Sequence, residues 1–433
     1  MGSVRWTLSQ FGFLNDGSAL FVGRAILIEG GTIVKKLLTG LSLLALAACS
    51  GETEQPQDLT ATANRITAET IIVDGHIDVP YRMNDSWIDV SGPTNEGDFD
   101  YPRAVSGGLN APFMSVYTPA VFDGTPMAKA HAERMIDLVE RMEAEAPNKF
   151  AIAKTVADLE NAFATGKIAL PLGMENGAPL MGDMVNLDYF FERGIRYITL
   201  THSRANHISD SSYDENKIWG GLSDFGKEVV GRMNDLGIMV DVSHISDDAF
   251  WDVMEITKTP VIASHSSARH FTPGFERNMS DDMIKALATN GSVIMINYGS
   301  SFVTEAANQY RPRRDAAYQT YLEENGIEDS NEVRSAFVTE YQATNPYPYA
   351  TLSQVLDHFD HIVKLAGVDH VGIGSDYDGV GDSLPIGLKD VSSYPALVEG
   401  LLRRGYSEED VKKVLSGNVL RVWRTVEAFA ASE

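Results

Sequence analysis

Ile71-Ile72-Val73-Asp74-Gly75-His76-Ile77-Asp78 reads as a short apolar run that ends in a histidine and a carboxylate. Runs of this kind, rich in β-branched residues and bounded by turn formers, are the signature of strands buried on both faces of a parallel sheet. The pattern recurs. Strands are expected at 70–76, 113–117, 168–175, 197–202, 238–244, 261–265, 292–297 and 370–376. Helical periodicity fills the intervals, at 126–146, 223–236, 246–257, 280–289 and 351–366, and Ser223, Ser246 and Ser280 stand where N-caps belong. Strands alternating with helices eight times predict an α/β fold, a (β/α)8 barrel, with an open doubly wound sheet as the competing architecture.

Polar residues mark the ends of these runs. Beside His76 and Asp78, Glu175 closes the third run, His202 the fourth, His244 the fifth, His265 the sixth and Asp376 the eighth. In a barrel the carboxyl ends of the strands converge on one face, where active sites are built. Imidazole and carboxylate are the donors that zinc takes when it does chemistry. A lone histidine at a strand end is usually a hydrogen-bonded loop residue, and a lone aspartate there is commonly a helix cap. Seven such residues in phase with one barrel make a site the better reading. Asp78 is expected at the bend where the first strand gives way to its loop.

The chain has 433 residues, with 35 Lys+Arg against 60 Asp+Glu and a formal net charge of −25. That surface argues against nucleic acid or anionic lipid as the main partner. The single cysteine, Cys49, excludes an internal disulfide. Lys35-Lys36, an apolar run too short to span a bilayer, and Leu46-Ala47-Ala48-Cys49 resemble a bacterial lipoprotein signal. Residues 34–49 are therefore expected to be a signal peptide with Cys49 lipidated, and 50–67 a flexible tether. Residues 1–33 fit no signal pattern and are expected to be untranslated, with the true start at Val34, or disordered. Residues 68–433 are expected to form the barrel, with a polar, tyrosine-rich helical insertion at 302–349 and closing helices from Tyr394. A lipid anchor implies the periplasmic face of a bacterial membrane, the outer more than the inner.

Asp74-Gly75-His76-Ile77-Asp78-Val79-Pro80 resembles the opening motif of the membrane dipeptidases (the renal type). Leu200-Thr201-His202, Val240-Asp241-Val242-Ser243-His244, Ser264-His265-Ser266-Ser267 and Gly374-Ser375-Asp376-Tyr377-Asp378-Gly379 are similar to that family's later motifs, in the same order. Gly221-Leu222-Ser223-Asp224-Phe225-Gly226 and Leu415-Ser416-Gly417-Asn418-Val419-Leu420-Arg421 add to the resemblance, which runs from about residue 68 to the C-terminus. It implies two Zn2+ per chain, one held by His76 and Asp78, the other by His244 and His265, with Glu175 bridging. It also implies that His202 contacts substrate and stabilises the oxyanion, that Asp376 shuttles the proton, and that Arg277 grips the substrate carboxylate. The implied reaction is hydrolysis of dipeptides with a free C-terminal carboxylate, L-L and L-D, by a metal-bridging hydroxide. A homodimer is implied as well.

Two departures stand out. Asn176 follows the bridging glutamate where a small residue is expected, and His207 follows His202 closely, as a substrate contact or a plain loop histidine. Other amidohydrolase chemistry, on lactones, β-lactams or N-acyl amino acids, remains as an alternative, although such barrels usually open with His-x-His and bridge their metals with a lysine. A non-catalytic surface lipoprotein is the alternative from another class. Dead copies tend to lose ligands, and here each one is present.

Overall fold

The computed structural model describes residues 58–432; residues 1–33, the expected signal with Cys49, and 50–57 of the expected tether lie outside them. Eight parallel strands close into a barrel in sequence order: β1 Val73–Ile77, β2 Ala111–Tyr117, β3 Leu172–Glu175, β4 Ile195–Thr199, β5 Met239–Asp241, β6 Ile262–Ala263, β7 Val293–Ile296 and β8 Val371–Ile373, the last pairing back onto β1. The (β/α)8 expectation holds, and the open sheet is excluded.

Burial sorts into two layers. Val73, Phe113, Tyr197, Met239, Ile262, Val293 and Met295, near the starts of the strands, form one cluster with Val419, Leu420 and Trp423 of the last helix, Asn418–Ala430. The rings of Phe113 and Trp423 lie 5.3 Å apart, so the C-terminal helix closes the barrel at the end opposite the chemistry. Gly173 makes the filling possible: a Cβ there would stand 1.9 Å from the Tyr197 ring. The second, larger cluster lies between the strands and the surrounding helices.

The helices start where their caps predict. Ser223, Ser246 and Ser280 each accept a hydrogen bond from the backbone N–H three residues on, and Thr351 forms a full capping box with Gln354. Three expectations need correction. The run 168–175 is two strands, because Pro171 has no N–H for the ladder; Ile168–Leu170 pairs instead with Phe150–Ile152 outside the barrel. The tether expected to reach residue 67 ends earlier, since Leu59–Glu69 is a helix capped by Asp58 that buries Ala63 and Ile66. Apart from β2, which is longer than expected, the barrel strands are also shorter than the apolar runs, in part for a reason that belongs to the site. Between β7 and its helix, Leu352–Ala366, come the helices Ser300–Val303, Glu305–Asn308, Tyr310–Asn325 and Asn331–Thr344, where the insertion was expected.

Candidate active site

Three of the barrel strands, β5, β6 and β8, stop short because side chains capture the backbone that would continue them. Asp74 accepts hydrogen bonds from the amides of His76 (3.1 Å) and Ser375 (2.9 Å), and from the Tyr394 hydroxyl. Asp241 does the same for the amides of Ser243 (3.1 Å) and Ser264 (2.8 Å). The chain then leaves the ladder, and His244 and Asp376 take left-handed backbone, with φ of 70° and 64°. That conformation is unusual outside glycine and points to a site that holds it in place. His202, His244 and Asp376 each lie three residues beyond the strand end, and His265 two, so the loops aim them rather than the pleat.

All of these side chains meet around Glu175. Its Oε1 lies 3.1 Å from His244 Nε2, 3.4 Å from His202 Nε2 and 3.5 Å from His265 Nε2, and its Oε2 lies 3.4 Å from His76 Nε2. His76 Nε2 is 3.4 Å from Asp78 Oδ2. Two ligands on one tetrahedral zinc stand roughly 3.3 Å apart, so the spacing is that of donors sharing a cation. The donors fall into overlapping groups: His76, Glu175 and His265; Glu175, His202 and His244; and His76, Asp78 and Asp376. Glu175 belongs to two of them. His202 falls among possible ligands as well as in the substrate position that the resemblance gives it.

The far nitrogens fix which face each imidazole offers. Ser264 Oγ lies 2.6 Å from Asp241 Oδ2 and donates its proton there, so it accepts from His265 Nδ1 at 2.7 Å. His265 Nε2 is thereby left as a lone pair facing Glu175. His76 Nδ1 is held by the Tyr197 hydroxyl at 2.7 Å, and its Nε2 is buried with no hydrogen-bond partner among the described residues. Ser115 Oγ donates to Glu175 Oε2 at 3.2 Å.

Charge favours the same reading. Burial opposes ionisation of Glu175, but the surrounding histidines, His76 first, outweigh it and hold its carboxyl well below the usual range. Burial, then the charge of Arg277, keeps His244 neutral, and burial followed by His76 and Arg277 does so for His265. An ionised carboxylate and neutral imidazoles are the forms a divalent cation binds. At His76 burial opposes the charged form, but Tyr197, Glu175 and Asp78 outweigh it and raise its pKa, so a cation held there would displace a proton. Burial, then the charge of Asp78, pushes Asp376 up to about 7, while Asn297 Nδ2 donates to its Oδ2 at 2.7 Å.

The cluster opens into a cavity of about 730 Å3. Asp78, Glu175, His202, His244 and Asp376 line it, together with Tyr81, Tyr117, Tyr213, Phe302 and Arg311, which the sequence reading did not single out. His76 and His265 lie buried beneath the wall. Arg277 is buried too: it donates to Ser266 Oγ and to the His265 carbonyl, each at 2.7 Å, and its guanidinium lies 5.3 Å from the Phe302 ring centre. Its Nε has no hydrogen-bond partner among the described residues. Asn176 is not on the wall. It sits at φ 80° and ties the loop together, donating to the Thr118 carbonyl and Asp123 and accepting from Ala178 and Asn206. His207 is a packing residue against Phe225, 5.5 Å between ring centres. Asp378 lines the cavity but is committed to Arg82, which reaches both its oxygens at 2.9 Å.

Residues 60–433 match the family model of the membrane dipeptidases (peptidase family M19). Among solved structures, the chain is similar to the probable dipeptidase PvdM from Pseudomonas aeruginosa, at 27% identity and a TM-score of 0.75 over 87% of this chain and 100% of the other. It is also similar to a metallo peptidase from Rhodobacter sphaeroides liganded with a phosphinate mimic of L-Ala-D-Ala, at 25% identity and a TM-score of 0.67 over 83% and 100%. A third, dipeptidase AC, is 25% identical with a TM-score of 0.68 over 83% and 99%.

Proposed function

This chain belongs to the membrane dipeptidase family and is a metallo-dipeptidase, and from that premise we propose how its own residues divide the work. In this reading it hydrolyses dipeptides with a free C-terminal carboxylate, L-L and L-D, with two zinc ions. His76, Asp78 and Glu175 would hold one, and His244, His265 and Glu175 the other. The observation that carries it is Glu175, whose Oε2 faces His76 while its Oε1 faces His244 and His265. When bound, such a pair polarises the scissile carbonyl and lowers the pKa of a water enough for attack at neutral pH.

The rest is done by the chain. His202, kept neutral by burial, offers an imidazole N–H to the oxyanion that develops on the substrate carbonyl. Asp376, poised near neutrality and oriented by Asn297, takes the proton from the attacking water and passes it to the leaving amine. Arg277, with its unpartnered Nε, supplies positive charge behind Phe302 to the side of the cavity that takes the C-terminal carboxylate. Lipid attachment through Cys49, a place at the periplasmic face of a bacterial membrane and a homodimer complete the proposal, and all three rest on the sequence and its resemblance.

The test is release of free amino acids from a panel of L-L and L-D dipeptides, with and without a chelator, beside a Glu175→Gln variant and metal analysis. Chelator-sensitive turnover is expected, with the variant binding fewer metals and losing at least about a thousandfold in kcat. No turnover at two bound zincs per chain would move the substrate to lactones or N-acyl amino acids.

A further inference from the structure

The cavity wall is acidic. Asp78, Glu175, Asp376 and Asp378 all contribute to it, and among the described lining residues the one Lys or Arg is Arg311. Arg311 comes from the insertion, as the second residue of the helix Tyr310–Asn325. Nearby, Arg314 pairs with Asp315 at 2.8 Å, whereas among the described residues no hydrogen bond or ion pair engages the guanidinium of Arg311, or that of Arg313, which does not line the cavity. Its charge nevertheless reaches the site. Desolvation raises the Tyr213 hydroxyl to about 12, with Arg277 and, more weakly, Arg311 pulling the other way, and the Tyr213 ring lies 5.9 Å from that of His244.

The two arginines near the cavity are therefore unlike. Arg277 lies behind the wall, with two of its nitrogens already donating to this chain. Arg311 is on the wall and uncommitted, with its five N–H donors free for a carboxylate.

We propose that Arg311 is a specificity residue that binds a carboxylate of the substrate, so that dipeptides with an acidic side chain are preferred. The inference rests on the dipeptidase reading for the identity of the ligand. Arg277 keeps the α-carboxylate side, and Arg311 receives the second negative charge. Arg82 already holds Asp378 through both oxygens, whereas Arg311 brings its charge to the wall with no acidic partner of its own, which suits it to a carboxylate of the ligand.

The test compares the metal-loaded full chain with Arg311→Gln and Arg311→Glu on Ala-Glu, Ala-Gln and Ala-Lys. In parallel, dissociation constants are measured for phosphinate mimics of Ala-Glu and Ala-Gln, which report on binding whether or not the peptides are cleaved. A Glu-over-Gln preference of roughly tenfold is expected in kcat/KM and in affinity, collapsing to about one in Arg311→Gln and turning toward Ala-Lys in Arg311→Glu. If Arg311 takes the α-carboxylate instead, Arg311→Gln weakens both mimics equally and discrimination against C-terminal amides disappears. Glu:Gln and acid:amide ratios that are the same in all three proteins would overturn the proposal. Failure of the dipeptidase reading looks different: mimics that bind with peptides left uncut.

Discussion

Gly379 shows how closely the two carboxylates of the site are fitted. A Cβ at that position would stand 2.2 Å from both Asp376 Oδ1 and Asp78 Oδ2. Gly379→Ala is therefore expected to displace one of them, cutting kcat by roughly tenfold to a hundredfold, because small misplacements at a reacting centre cost that much. Thermal melts beside the kinetics would separate this from unfolding, and a Gly379→Ala protein of full activity would contradict the fit. Asp376 gives a second expectation. It accepts a proton only once ionised, so activity falls as pH drops through its pKa. Burial and Asp78 raise that pKa to about 7 while bound cations pull it down, which places the acid limb of kcat at or below neutrality. Asp376→Asn should abolish that limb and lower kcat by about a hundredfold to ten-thousandfold. At this scale the clustered His, Asp and Glu side chains were legible because they recur at the carboxyl ends of successive strands. Arg311 was not, since an arginine on a polar surface helix carries no mark of what it faces.

At the scale of elements, the eight strands could be read from their apolar runs, and the helix starts from Ser223, Ser246, Ser280 and Thr351. The strand ends could not. Asp74 and Asp241 stop the ladders through side-chain hydrogen bonds, and nothing local announces the left-handed turn at His244. The helix Leu59–Glu69 was hidden by its polar composition, with Ala63 and Ile66 as its apolar marks. His358, in the helix Leu352–Ala366, ties two loops: its Nδ1 accepts from the Ala268 amide, and its Nε2 donates to the Val303 carbonyl. Burial lowers its pKa to about 4. Between that value and about 6.5 the unfolded chain holds a proton that the folded chain refuses, so stability falls as pH is lowered through this window, by about 3 kcal/mol in all. Urea unfolding of chelated protein at pH 7.5 and 4.5 should show the loss, and His358→Gln should reduce its pH dependence while costing about 1–3 kcal/mol at neutral pH. An unchanged pH dependence in His358→Gln would mean that other groups carry it.

Across the whole molecule, chemistry and closure occupy opposite ends of the barrel. Trp423 is fully buried against Phe113 at the closed end. Trp423→Ala is expected to cost about 3–5 kcal/mol in equilibrium unfolding while leaving metal content intact. Loss of metal in a folded variant would show that the two ends are coupled, for instance through Tyr197, which packs on Phe113 and holds His76.

The insertion between β7 and its helix contributes Arg311, Ser301 and Phe302 to the cavity wall but none of the clustered metal-type donors. It is thus a cassette, attached by both ends to one βα loop. Replacing its side chains, or grafting a different segment there, would leave the reaction machinery untouched and alter which molecules reach it. That gives directed evolution a short stretch to randomise when new selectivity is wanted, and gives natural lineages an inexpensive route to divergent diets.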